Sequence, residues 1–432
     1  MKDSLVSLFS FLGLFLFSSS LAFADWSQWR GPNRDGTVAD SAATAWPASL
    51  DDATLKEQWS VDLAEGYSSP VLTADKVFTV ETKDKKDEIV RAFDRATGKQ
   101  LWETSWVASM KVPFFANKNG SWVRSTPATD GKHLYVLSMV DILVCLDVET
   151  GDEVWRVDFK EREGTEMPAF GGVSSPLIDG DFVYVQGGSA AAKLNRESSE
   201  NVWRAMEDRR AMFGSAFSSP VIADIHGIRQ IVVQTRMELG GIDPESGDVL
   251  WSTPVEAFRG MNILTPTVSG NRIFTSTYGG GCFVFEVKKG DDGKLTPELL
   301  WRKKEIEGYM SSAVIVGDHV YHLGRDKKLY CLAMADGEQA WVSDQEFGEY
   351  WSMAVNGDQV LALDQVGKLV LWRATPEKFD VLDIRKVSDQ STWAHVAVSS
   401  GQVFVRGLKQ LTAMAWGEAG ASVESASAGV PR

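Results

Sequence analysis

Cysteine is scarce: three in 432 residues, Cys145, Cys282 and Cys331, with no C-x-x-C pair and no C-x-x-C-H sequence. That excludes a disulfide scaffold, a paired-thiol metal ribbon and covalent haem attachment. Each cysteine sits in a strand-like run (Leu-Val-Cys-Leu, Gly-Cys-Phe-Val, Leu-Tyr-Cys-Leu), where a small buried residue fits. Cationic charge is short as well. Forty-four Lys and Arg against 59 Asp and Glu leave a net charge of −15 and a pI near 4.9. Nucleic acid and anionic membrane surfaces are therefore poor partners. No apolar run reaches the length of a membrane span. The longest, Leu5 to Phe17, would cover about 20 Å as a helix against roughly 30 Å of hydrocarbon. It follows Met1-Lys2 and precedes Ala22-Phe23-Ala24, so residues 1–24 are expected to be a signal peptide cut before Asp25. With no cysteine at the cut to carry lipid, the expected mature protein is exported and soluble, in the periplasm or outside the cell, without a transmembrane segment.

What is abundant is tryptophan, with 16 residues, and glycine, with 38. Much of both falls in an internal repeat: Ser-Ser/Thr-Pro, a short apolar run, a β-rich run, then Asp-x-x-Thr/Ser-Gly and Trp four residues on. Copies run from Ser68-Ser69-Pro70 to Trp102, Ser125-Thr126-Pro127 to Trp155, Ser174-Ser175-Pro176 to Trp203 and Ser218-Ser219-Pro220 to Trp251. Decayed copies begin at Thr265-Pro266, Ser311-Ser312, Ser352-Met353 and near Trp393. The last copy has no fourth strand, and Leu55 to Val61 resembles the missing piece. Eight closing strands, at Trp59, Trp102, Trp155, Trp203, Trp251, Trp301, Trp341 and near residue 380, are mostly 40 to 53 residues apart. That spacing suits four strands and their turns. A four-stranded sheet cannot bury both faces alone, so the copies must stack, and around a ring they close. The expected fold is all-β: an eight-bladed β-propeller of four-stranded antiparallel blades, shut by an N-terminal strand clasp. Its span is 55–416, after a lead-in arm at 25–54 and before a small polar tail at 417–432 that is expected to be disordered. A Trp recurring once per blade is expected to wedge between neighbouring sheets.

The units Ser-Ser-Pro…Asp-x-x-Thr-Gly-x-x-Leu/Val-Trp resemble the repeat of the pyrroloquinoline quinone (PQQ)-like propellers, the superfamily of the quinoprotein alcohol dehydrogenases and the BamB-type assembly lipoproteins. The segment Trp26-Ser27-Gln28-Trp29-Arg30-Gly31-Pro32-Asn33-Arg34-Asp35-Gly36 is similar to the lead-in of secreted bacterial members. The dehydrogenase branch implies a Trp-Asp-x-Asp stretch, adjacent cysteines against the quinone and often a c-type haem. Here no Trp is followed by Asp, no cysteines are adjacent and no haem sequence occurs. The BamB branch implies a lipid-bearing Cys, also missing. A propeller is a scaffold that hosts many functions, so the site must decide.

Other chemistry is thin. His319 and His322 point to opposite faces of a strand. His133 and His226 lie at turn-like positions and are expected to be solvated. Gly187-Gly188 and Gly279-Gly280-Gly281 open no helix and read as hairpin turns rather than phosphate loops. Asp291-Asp292-Gly293 lacks the later carboxylate of a calcium loop.

The connections leading into each innermost strand remain, since they gather on one face around the axis. They carry Tyr67, Trp122, Arg124, Phe170, Phe217, Asn262, Tyr309, Tyr350, Trp393 and His395, the candidate binding residues. No catalytic residue, metal ligand or cofactor is expected. Three of these connections are long, 103–124, 156–173 and 204–217, and long loops on a rigid frame are where binding concentrates. The aromatics would serve equally to plug the channel. Aromatics with Arg124, Arg204, Arg209 and Arg210 would also suit an acidic partner. The reading carried forward is an exported, monomeric, non-enzymatic scaffold that binds an envelope or secreted protein or peptide through this face. The alternatives are a diverged oxidoreductase using PQQ with calcium, and an envelope polysaccharide binder.

Overall fold

The computed structural model describes residues 26–38, 45–114, 116, 120–208, 216–399 and 401–417. The expected signal peptide at 1–24, the polar tail from 418 to 432, and Arg209 and Arg210 lie outside the described residues.

Eight four-stranded antiparallel sheets make up the chain, and the only α-helix among the described residues is the five-residue Phe159–Glu163. Blade 1 runs outward through Val71–Leu72, Lys76–Lys83, Asp87–Asp94 and Gln100–Val107. Blades 2 to 7 repeat that order. Blade 8 takes its outer strand from the opposite end of the chain, with Leu55–Asp62 pairing antiparallel against Gln410–Trp416. The clasp expected from the displaced repeat is present.

The repeat residues act between blades. The Asp of the turn in blades 1, 2, 4 and 6, and Asn195 in blade 3, accept backbone N–H groups, as Thr97 N to Asp94 Oδ1 at 2.8 Å shows, and the following Gly98 adopts φ 72°. Against that glycine lies the Trp of the preceding blade. A Cβ on Gly98 would come within 2.7 Å of the Trp59 ring, and one on Gly151 within 2.5 Å of Trp102. Trp59, Trp102, Trp155, Trp203, Trp301 and Trp341 donate their indole N–H to the next blade's turn, at Arg95, Val148, Arg196, Pro244, Met334 and Thr375 carbonyls. Trp251 is the exception. The blade 5 turn it faces is longer, and its N–H goes to Gln230 of its own blade at 2.6 Å.

The Ser-Ser-Pro hydroxyls form a second, inner belt. Ser69 N donates to Thr126 Oγ1, Thr126 N to Ser175, Ser175 N to Ser219, Ser219 N to Thr265, and Thr265 N to Ser312. Two interfaces run in the opposite sense, Trp351 N to Ser311 and Val396 N to Ser352. His395 N donates to Ser69 Oγ at 2.7 Å and closes the ring. All eight blade interfaces are bridged.

The lead-in does not hang free. Residues 26–38 fill the axial channel from the face opposite the long connections. Leu72 N donates to Trp26 O, Thr129 N to Ser27 O, and Val38 N and Val355 O pair at 2.8 Å. Trp26, Arg30 and Arg34 are all but inaccessible. Arg34 donates to Ser175 O at 2.9 Å and Pro176 O at 2.6 Å, and Arg30 to Asp35 O at 2.9 Å and to Ala313 O. Backbone carbonyls thus stand in for carboxylates, and burial lowers the two guanidinium pKa values to about 9 and about 10.

Two histidine positions differ from the sequence reading. His133 is buried, because it begins the strand His133–Leu137 and its ring packs on Tyr135. His226 takes φ 55° in a turn but is tied to Val287 O at 2.7 Å rather than solvated.

Candidate functional site

In each blade the innermost strand starts at the face where the long connections lie, and the turn between the second and third strands returns there. All eight connections contribute side chains to one cup on the axis, with a volume of about 420 Å³. Going round, they give Tyr67, Arg124, Phe170, Phe217, Phe258 with Arg259, Tyr309, Tyr350 and Trp393. The second-to-third turns of blades 4 and 5 add Arg236 and Tyr278. Residues of the hydroxyl belt, Ser69, Thr126, Ser175, Ser219, Thr265 and Ser312, line it too, as does Trp29 of the arm. Since the arm fills the channel, the aromatics are not needed as a plug.

The rings are arranged in three groups. Tyr67 meets Trp122 edge-on at 5.5 Å and Trp393 at 5.6 Å, and Trp393 stacks on Tyr350 at 6.0 Å. Phe170 and Phe217 are T-shaped at 5.2 Å, with the Arg236 guanidinium over Phe217 at 4.3 Å. Phe258, Tyr278 and Tyr309 form the third, with Arg325 over Tyr278 at 4.3 Å. Such pairings fix ring orientation before any ligand arrives. Arg124 is braced by Gly120 O at 2.8 Å and Trp122 O at 3.2 Å, and Arg236 by the carbonyls of Gly260 and Arg259. Burial pushes the Tyr67 hydroxyl up to about 12 and lowers the Arg236 guanidinium to about 10, so both keep their protons at neutral pH. No Asp or Glu is among the described lining residues. The cup is apolar, aromatic and cationic in a chain of net charge −15.

Seven of the ten candidate residues meet here: Tyr67, Arg124, Phe170, Phe217, Tyr309, Tyr350 and Trp393. Trp122 stands behind Tyr67 as its edge-on support. Asn262 is fully buried and donates to Thr235 O and Arg236 O, which fixes the Arg236 turn. His395 is buried between the last blade and the arm, its ring 6.0 Å from Trp26 and 6.2 Å from Trp29. Burial, aided by Arg30, lowers its pKa to about 3, and it stays neutral. Arg204 reaches Gly188 O and Glu163 outside the cup. Trp29, Arg236, Arg259 and Tyr278 were absent from the sequence candidates. The second-to-third turns share the face of the long connections, a rule of the fold that would have singled out Arg236 and Tyr278.

No group of three or more His, Cys, Asp or Glu that could hold a metal occurs among the described residues. The three cysteines are buried and free.

A family profile described as outer membrane protein assembly factor BamB matches residues 86–343. Among curated proteins, the assembly factor BamB of Yersinia pestis is 22% identical over 296 residues, 66% of this chain and 69% of that protein. BamB of Moranella endobia is 22% identical over 266 residues, 56% of this chain and 63% of its own length. Among solved structures, BamB from Moraxella catarrhalis superposes with a TM-score of 0.61 at 15% identity, covering 86% of this chain and all of that one. The quinohemoprotein alcohol dehydrogenase from Comamonas testosteroni superposes with a TM-score of 0.60 at 12% identity, over 91% of this chain and 80% of that one. At these identities the superpositions speak for the fold.

Proposed function

The chain belongs to the BamB family of PQQ-repeat propellers, and from that premise we propose an exported, monomeric scaffold that binds a protein or peptide of the cell envelope through the face bearing the cup. The observation that carries the reading is the lining itself: rings and guanidiniums from all eight connections, with no carboxylate among the described lining residues. Aromatic residues and Arg are the side chains that dominate binding energy at protein interfaces. The relatives' description as outer membrane assembly factors supports a protein partner.

A PQQ-calcium oxidoreductase is the second reading, the one that the resemblance of the repeat to the quinoprotein propellers raised. Trp29 and the arginines could face a flat carboxylated ring, but the donor set does not fit a calcium-held quinone. Calcium needs six to eight oxygen ligands, carboxylates prominent among them, and the described lining offers only hydroxyls and carbonyls.

The test is site-directed photo-crosslinking in envelope extract from Phe217, with the outer-strand residue Val249 as control position. One crosslinked partner at Phe217, lost in an Arg124→Ala/Trp393→Ala variant, is expected. A crosslink unaffected by that variant would refute the proposal. So would a saturable, calcium-dependent rise in melting temperature with PQQ.

A further inference from the structure

The cup is blind. Trp29 forms its floor, and beneath it Arg30 and Arg34 are locked into carbonyls of blades 3 and 6. A polypeptide entering along the axis cannot thread through, so it must double back or end there. A volume of about 420 Å³ is near the lower end of the roughly 300–1,000 Å³ typical of small-ligand pockets, which favours an end over a folded-back hairpin. The charge chooses which end. Arg124, Arg236 and Arg259 line the cup; Asp208 acts as counter-charge to Arg236, and Arg124 and Arg259 have no carboxylate beside them among the described lining residues, so an ammonium terminus is repelled and a carboxylate attracted.

We infer that the cup receives the C-terminal residue of a polypeptide, its carboxylate at the arginines and its last side chain, aromatic or bulky and apolar, between the rings. This deepens the partner-binding reading above and rests on it. Arg259 is the best placed to meet the carboxylate. It is exposed at φ 52°, its guanidinium lies 5.1 Å from the Phe258 ring centroid, and none of its side-chain donors is engaged among the described residues. Arg124 and Arg236 are held by backbone carbonyls at the wall and supply charge without moving. The tyrosine and tryptophan rings offer edges and faces to the terminal side chain at little entropic cost, because they already pack on one another.

The experiment is fluorescence anisotropy on the full chain with N-terminally labelled octapeptides. One ends in Phe with a free carboxylate, a second in the Phe amide, a third in Ala with a free carboxylate. A fourth carries an internal Phe-Glu and a blocked end. The free-acid Phe peptide should bind saturably and at least tenfold more tightly than each of the others. Arg259→Gln should weaken it at least fivefold and leave the melting temperature unchanged, since that side chain is exposed. Should that variant fail to fold, added salt must produce the same loss on the wild type. Equal binding of acid and amide would overturn the inference, as would a blocked Phe-Glu peptide that binds as well as the acid. Free 3-phenylpropionate as competitor separates a polypeptide end from a small aromatic acid, and displacement at peptide-like concentrations would refute the former. If no peptide binds while the Phe217 crosslink persists, the inference falls and the broader partner-binding proposal survives.

Discussion

The arm is a separable cork, and trypsin can measure how firmly it is seated. Its two cleavage sites follow Arg30 and Arg34, whose side chains are essentially inaccessible, so cutting requires the segment to leave the channel. Trp26 is the arm's main apolar anchor: it is fully buried, and its ring lies against Gly31. Truncating a buried aromatic to Ala costs about 3–5 kcal/mol. The loss acts on local undocking rather than on the whole ring, because the blades keep their own belts of hydrogen bonds. At about 1.4 kcal/mol per decade, Trp26→Ala should raise the cutting rate after Arg30 and Arg34 by about 10² to 10³·⁵. If the arm docks more weakly than that, the increase stops where the arm is already free. The assay is limited proteolysis of the mature chain with an N-terminal label, read by mass spectrometry, with circular dichroism to follow the blades. An increase under tenfold would refute the reasoning. So would an arm released only as fast as the propeller itself is digested.

Burial pushes the Glu88 carboxyl, which accepts from Met139 N at 2.7 Å and Trp106 Nε1 at 3.0 Å, up to about 7. A raised acid binds its proton more tightly when folded, so its contribution is present below its ordinary value of 4.5 and lost as pH rises through 7, about 3 kcal/mol in all. Urea unfolding at pH 5 and pH 8 should therefore show wild type losing about 2.5 kcal/mol more than Glu88→Gln, since part of the contribution is already gone at pH 5, and equal losses would refute this. Ser175→Ala leaves Thr126 N without its acceptor in the belt, a loss of about 1–3 kcal/mol by denaturant unfolding. Trp301→Phe removes the bond to Met334 O at 3.1 Å and should cost about 1–2 kcal/mol in the same measurement. Cys145, Cys282 and Cys331 are buried with thiol pKa values raised by that burial, so iodoacetamide should label none in the native protein and all three in urea.

The blade count, the clasp and the role of tryptophan were legible because each recurs with a period, and a recurring residue has a recurring environment. The serine motif was legible as a marker, but not as a belt. Nothing in Ser-Ser-Pro states that the hydroxyl accepts from a blade some 45 residues away until the ring is closed. The cup was legible at seven residues on the connections into the innermost strands, and opaque at Arg259, in the second-to-third turns and in the arm. Trp29 lies in a segment with no period, and only the path of that segment through the channel brings it beneath the rings. Asn262 and His395 occupy the right connections, yet both turn inward, because a buried turn and an arm in the channel needed polar and aromatic partners there.

The pairing of Leu55–Asp62 with Gln410–Trp416 also sets an order of events. During synthesis the first of these strands is made before any full blade and the second after all of them, so the circle stays open until the final strand emerges. That makes closure the step of highest contact order, with all the loop entropy of the chain to overcome. It also makes the geometry a test of completeness. A chain stopped anywhere before its last strand leaves Leu55–Asp62 without its partner strand, however well its other blades have formed, and presents an unpaired edge for other proteins to recognise or degrade.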